Sequence, residues 1–90
     1  MRLSFAEALT VASEQDPLTS LLNRRGLDAK IDALIATCAY AAVPMTVALI
    51  YIDHFKSIND TFSHMTGDAV LKQVAGVIRA HSRSNDLPVR

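Results

Sequence analysis

Stretches of helical period alternate with stretches of turn chemistry along this chain. Leu3, Ala6, Leu9 and Ala12 recur at helical spacing with Glu7 and Glu14 off the stripe, so a first helix is predicted from Leu3 to about Glu14. The stripe is thin and half alanine, which suits a helix packed on a neighbour, as in a coiled stalk. Asp16-Pro17 ends it, because the residue before a proline is pushed out of the α region. A second helix is predicted from Arg24 to Cys38. Leu27, Ile31, Leu34, Ile35 and Cys38 line its apolar face, and Asp28, Lys30 and Asp32 face out.

After Pro44 the period changes from helical to alternating. Val47, Leu49 and Tyr51 fall on one face and Ala48, Ile50 and Ile52 on the other, so the segment is apolar on both. Such a strand is usually central in a sheet. Asp53 ends it, and a polar connection follows with a short helix expected around Phe55–Asn59. A last helix is predicted from Asp68 or Ala69 to His81 or Ser82, with Asp68 as its N-cap. Val70, Leu71, Val74, Val77, Ile78 and His81 mark its buried side. Asn85-Asp86 is a turn, and Leu87 to Arg90 leads into extended chain. The fold class is therefore α/β (α+β), in the order helix–helix–strand–helix. Its one central strand lacks sheet partners, although buried backbone groups need them.

Composition narrows the function. The chain has 90 residues, 50% of them apolar, and a formal net charge of zero. That excludes a disordered tail. It also leaves no global field toward nucleic acid or an anionic membrane. Its two Tyr and three Phe are scattered, so no stacking platform for single strands forms. A single cysteine, Cys38, allows neither an internal disulfide nor a multi-cysteine metal site, and a plain buried thiol is expected. The uncharged stretch Ala33–Ile52 is long enough by count to span a bilayer. Thr37, Pro44, Thr46 and the change of period instead divide it into two elements. The N-terminus lacks the pattern of a signal peptide, so a cytoplasmic location is expected.

Candidate chemistry gathers between residues 51 and 68. Asp53, His54, Lys56, Asn59, Asp60, His64 and Asp68 follow the predicted strand and lead into a helix, the usual place of a ligand crevice in α/β sheets. A carboxylate at a strand end can hold Mg²⁺. Lys56 and nearby backbone N–H groups can receive phosphates. Asn and Asp side chains can read a base edge. A polar loop with an N-cap Asp and turn-forming Asn and Ser fits the same residues. His54 and His64 lack a zinc-type ligand framework, and His64 reads first as structural or exposed. His81 is expected to complement a helix C-terminus. Arg24 and Arg25 stand at the positive end of a helix dipole, so one of them is expected to have a structural partner, with Asp16 the candidate.

Two separated motifs then resemble the GGDEF domain, the diguanylate cyclase family of bacterial cyclic-di-GMP signalling. DPLTSLLNRRG at 16–26 is similar to the family's D-x-L-T-G-L-x-N-R-R opening. YIDHFKSINDTFSHMTGDAVL at 51–71 is similar to its D-x-D-H-F-K-x-I-N-D-x-x-G-H-x-x-G-D-x-x-L core. NDLPVR resembles the segment that runs into the signature Gly-Gly-Asp/Glu-Glu-Phe hairpin. The resemblance implies a nucleotidyl-cyclase-like palm and a homodimer in which each protomer holds one GTP for condensation to cyclic-di-GMP. It implies Mg²⁺ as cofactor, while the balanced charge predicts no nucleic-acid partner and no membrane contact by this segment. Asn59 and Asp68 match the guanine-reading positions. His54, Phe55 and Lys56 match the loop whose backbone cradles phosphates, and the carbonyl of Ile52 matches a metal contact. Residues 1–15 match the signalling stalk and 16–90 a partial GGDEF domain ending just before the hairpin.

Three positions depart from the family pattern. Tyr51 replaces the first metal-binding Asp and is a poor Mg²⁺ ligand, leaving Asp53 as a candidate carboxylate. Ser20 and Ser63 stand where the motifs carry glycine. Three readings remain at this stage: an active diguanylate cyclase, a catalytically inactive module that binds guanine nucleotide, and a structural or dimerisation piece. The second is favoured, because the loss of metal carboxylates removes charge compensation at the reacting phosphate.

Overall fold

A computed structural model describes residues 3–90, apart from the side chain of Ala12. The places of Met1 and Arg2 in the expected 1–15 unit, and of Ala12 in its apolar stripe, lie outside the described residues. Four helices follow one another: α1 (Phe5–Glu14), α2 (Arg24–Ala41), α3 (Phe55–Thr61) and α4 (His64–Ala80). They pack in sequential pairs, α1 on α2 and α3 on α4.

Side-chain caps set the starts of α1, α2 and α4. Ser4 caps α1 by accepting the Glu7 N–H at 3.1 Å, which delays the start to Phe5. Asn23 caps α2 by accepting the Gly26 N–H at 2.8 Å. Its amide also donates to the Ser13 carbonyl at 2.9 Å, so one side chain ties the end of α1 to the start of α2. Helix α2 continues past Cys38 to Ala41, where Ala42 takes a left-handed conformation and closes the end.

Helix α4 corrects the expected cap. It starts at His64, and its N-cap is Ser63, whose hydroxyl accepts the Thr66 N–H at 3.1 Å. Asp68 therefore lies inside the helix. A serine placed three residues before a free N–H satisfies that donor first, so the helix begins before Asp68 is reached.

Side-chain hydrogen bonds hold the turn between α1 and α2. Asp16 accepts the Thr19 N–H at 2.9 Å and the Thr19 hydroxyl at 2.8 Å. Arg79 of α4 donates to the Thr19 carbonyl at 2.5 Å. Gln15 bridges Leu22 in antiparallel sense, and Leu22 bridges Val89 in parallel sense. Asp16 therefore serves Thr19 and Arg90, not Arg24 or Arg25; Arg24 pairs with Asp28 one turn along α2 at 3.1 Å.

No strand forms over Met45–Ile52 among the described residues, which corrects the expected central strand. Val47, Leu49 and Tyr51 are each more than three-quarters exposed. A strand is held by a ladder to a neighbour, and among the described residues the only bridges are Gln15–Leu22 and Leu22–Val89. The same lack limits the core. Only Leu21 and Ala75 are buried hydrophobics among the described residues, and Cys38 is half-buried instead of buried. On α4, Val77 is 55% exposed and His81 is exposed, so the buried side is narrower than expected. The accessible surface is 7386 Å². A closed domain of this mass would show about 5200 Å².

Candidate functional site

The predicted site residues fall on α3, on α4 and on the segment before them. Ile52 is half-buried, and Tyr51 and Asp53 are exposed. His54 stands before α3 with φ 59°, in the left-handed region, and makes no side-chain cap. The first N–H groups of α3, from Phe55 and Lys56 onward, are therefore not closed by its imidazole. Phe55 is half-buried and Lys56 exposed.

Asn59 lies on α3 and packs against Gly67 of α4. A Cβ at Gly67 would overlap Asn59 Oδ1 and sit 2.7 Å from its Cγ. Gly67 immediately precedes Asp68, so the packing of α3 on α4 brings Asn59 to the backbone beside Asp68. Asn59 Oδ1 is buried and has no hydrogen-bond partner. Buried polar atoms are normally paired, so an orphan is a notable cost. Asp68 itself is exposed. His64 is exposed at the start of α4, and His81 Nδ1 lies 2.8 Å from the Val77 carbonyl at the helix end.

The donor set does not fit a Mg²⁺ site of the family type. Asp53 and the Ile52 carbonyl are the donors on the segment before α3, and Tyr51 offers a phenol where the motif carries a carboxylate. No group of three or more His, Cys, Asp or Glu side chains gathers among the described residues. Hard cations of this kind need carboxylate or phosphate oxygens in near-octahedral array. A shallow hollow of about 320 Å³ lies elsewhere, between Leu22, Arg79, Arg83, Asp86 and Pro88, and none of the predicted site residues lines it.

The profile of the family "Diguanylate cyclase, GGDEF domain" matches residues 13–90. The chain belongs to the GGDEF family. It is 43% identical over 75 residues to the response regulator PleD of Caulobacter vibrioides, covering 83% of this chain and 16% of that protein. It is 41% identical over 75 residues to the diguanylate cyclase DgcP of Pseudomonas aeruginosa, covering 83% of this chain and 11% of that protein. The diguanylate cyclase DosC of Escherichia coli is 38% identical over 90 residues, which is all of this chain and 20% of that protein. The chain thus spans a fifth or less of the length of these curated relatives. Among the described residues, no helix of this GGDEF chain is long and apolar enough to cross a membrane.

Two residues that bear on the family's motifs escaped the sequence reading. Thr19 is a buried polar residue at the centre of the opening motif, and its signal was the Asp16-x-x-Thr19 spacing of a side-chain-capped turn. Gly67 is a buried glycine inside a helix, and its signal was a residue of poor helix propensity placed next to Asp68.

Proposed function

We propose that this chain is the guanine-nucleotide half-site of a GGDEF domain and does not itself condense GTP. Asn59 and Asp68 read the guanine edge, the amide through its N–H donors and the carboxylate as acceptor. The backbone of His54, Phe55 and Lys56 faces the phosphates. The observation that carries this reading is the packing of Asn59 on Gly67, which brings it next to Asp68.

Tyr51 supports the inactive half of the reading. A phenol in place of a carboxylate cannot offset charge at the reacting phosphate or help activate the attacking hydroxyl. Residues 1–15 serve as the signalling unit, which carries α1, and 16–90 as the GGDEF portion. The end of α1 at Glu14 and the family match from residue 13 support that division. The segment 45–52, apolar on both faces, becomes the central strand of a cyclase-like palm once neighbours pair with it, and the chain acts as a homo-oligomer.

Titration calorimetry with GTP and ATP tests the half-site. Heat is expected with GTP and not with ATP, and Asn59→Ala abolishes it. An absence of GTP binding overturns the nucleotide reading. Cyclic-di-GMP formed with GTP and Mg²⁺ above a no-protein control overturns the inactive one. A second reading, a dimerisation module without nucleotide, is favoured by the exposure of Val47 at 76% and Leu49 at 79%. It is accepted if GTP binding is absent while sedimentation shows a stable oligomer.

A further inference from the structure

Helix α4 contains two glycines in very different settings. Around Gly76 a Cβ would meet nothing within 4 Å. Around Gly67 it would overlap Asn59 Oδ1, with Cγ at 2.7 Å and Nδ2 at 3.3 Å. Gly67 is buried, while Gly76 is exposed. Glycine inside a helix is unfavourable relative to alanine, because it loses more backbone freedom on folding. At Gly67 the missing side chain has a use: the carboxamide of Asn59 occupies its space.

We infer that Gly67 is the positioning residue for Asn59, holding its carboxamide against the second turn of α4 in the orientation that reads guanine. The inference rests on the half-site reading for its ligand, while the packing itself stands on geometry alone. Asn59 is half-buried and its Oδ1 has no hydrogen bond to hold it, so steric contact with the Gly67 backbone sets its orientation. Any side chain at position 67 would drive the carboxamide out of this place.

Alanine substitutions at the two glycines test this, singly and combined with Asn59→Ala. Gly76→Ala is expected to raise Tm and leave GTP affinity unchanged, since it adds helix propensity in open space. Gly67→Ala is expected to displace the Asn59 carboxamide and to weaken GTP binding by about tenfold or more. In the Asn59→Ala chain, where no carboxamide is displaced, the two glycine-to-alanine substitutions are expected to change Tm alike. The Asn59 side-chain amide resonances are expected to move in Gly67→Ala and to stay in place in Gly76→Ala, with no nucleotide present. If Gly67→Ala leaves those resonances unmoved, the positioning role is overturned. If the unsubstituted chain takes up no GTP, the guanine reading falls, and the amide resonances still decide the packing claim. If GTP binds equally to the unsubstituted and Gly67→Ala chains, the role in recognition is overturned.

Discussion

Arg90 Nη1 donates to both carboxylate oxygens of Asp16, at 3.2 and 3.1 Å, across 74 positions of sequence. The same carboxylate holds the N–H and hydroxyl of Thr19. Asp16 therefore joins the α1–α2 turn to the C-terminal segment. Desolvation raises its pKa, but the Thr19 hydroxyl, the Thr19 N–H and Arg90 together outweigh it and hold the carboxyl below its ordinary value.

That shift sets a pH dependence. The unfolded chain binds the Asp16 proton more readily than the folded one, so stability rises with pH through the titration window. The contribution is complete above the ordinary Asp value of about 3.9 and is lost as pH falls through the depressed folded value. Thermal denaturation across this range is expected to show a steeper acid loss for the unsubstituted chain than for Asp16→Asn. Equal acid slopes would remove Asp16 from the account.

Thr19 is 6% exposed, and its hydroxyl both donates to Asp16 and accepts the Leu21 N–H at 3.3 Å. Thr19→Val keeps the shape and removes both bonds. The expected loss is about 1–3 kcal/mol, the cost of leaving buried polar groups unmade. Thr19→Ser is expected to retain most of that stability, and urea denaturation of the two variants compares them directly.

The two serines that replace motif glycines should respond in opposite ways. Ser20 sits at φ 62°, in the left-handed region. Ser20→Gly is expected to stabilise by about 0.5–1 kcal/mol, the left-handed penalty less the entropy cost of glycine. Ser63 has φ 176°, which is extended backbone, and caps α4. Ser63→Gly is expected to cost only a few tenths of a kcal/mol, whereas Ser63→Ala costs about 1 kcal/mol. Denaturation midpoints of the three variants check the order, and a stabilising Ser63→Ala would contradict the cap.

Residues 43–52 carry exposed apolar side chains without a ladder, including Ile50 at 65% and Tyr51 at 83%. Unpaired apolar chain of this kind invites association. Val47→Lys with Leu49→Lys is expected to lower the sedimentation coefficient at high concentration without changing the helical circular dichroism signal. A loss of helix would mean that the segment supports the helices after all.

The helices were legible in sequence because their causes are local. Helical spacing marked α1, α2 and α4, and the short α3 appeared close to where Phe55–Asn59 placed it. The opening motif was legible as a turn, and the 51–71 motif as the candidate site. Other features depended on distant partners. Arg90 reaches Asp16, Arg79 reaches the Thr19 carbonyl and Val89 pairs with Leu22, and no periodicity within any one segment reports such pairings. The cap at Ser63 was missed because Asp68 is also an acceptable cap residue, and only the course of the backbone chooses between them.

Local sequence decided helix identity and motif spacing, because capping, propensity and the 3.6-residue period act within a few residues. Tertiary structure decided which carboxylate holds which arginine and that Gly67 makes room for Asn59. It also decided that Met45–Ile52 carries no ladder among the described residues. Alternating apolar residues record a preference for pairing on two faces. The pairing itself needs backbone donors and acceptors on another segment, and that condition is met in space, outside the segment's own pattern.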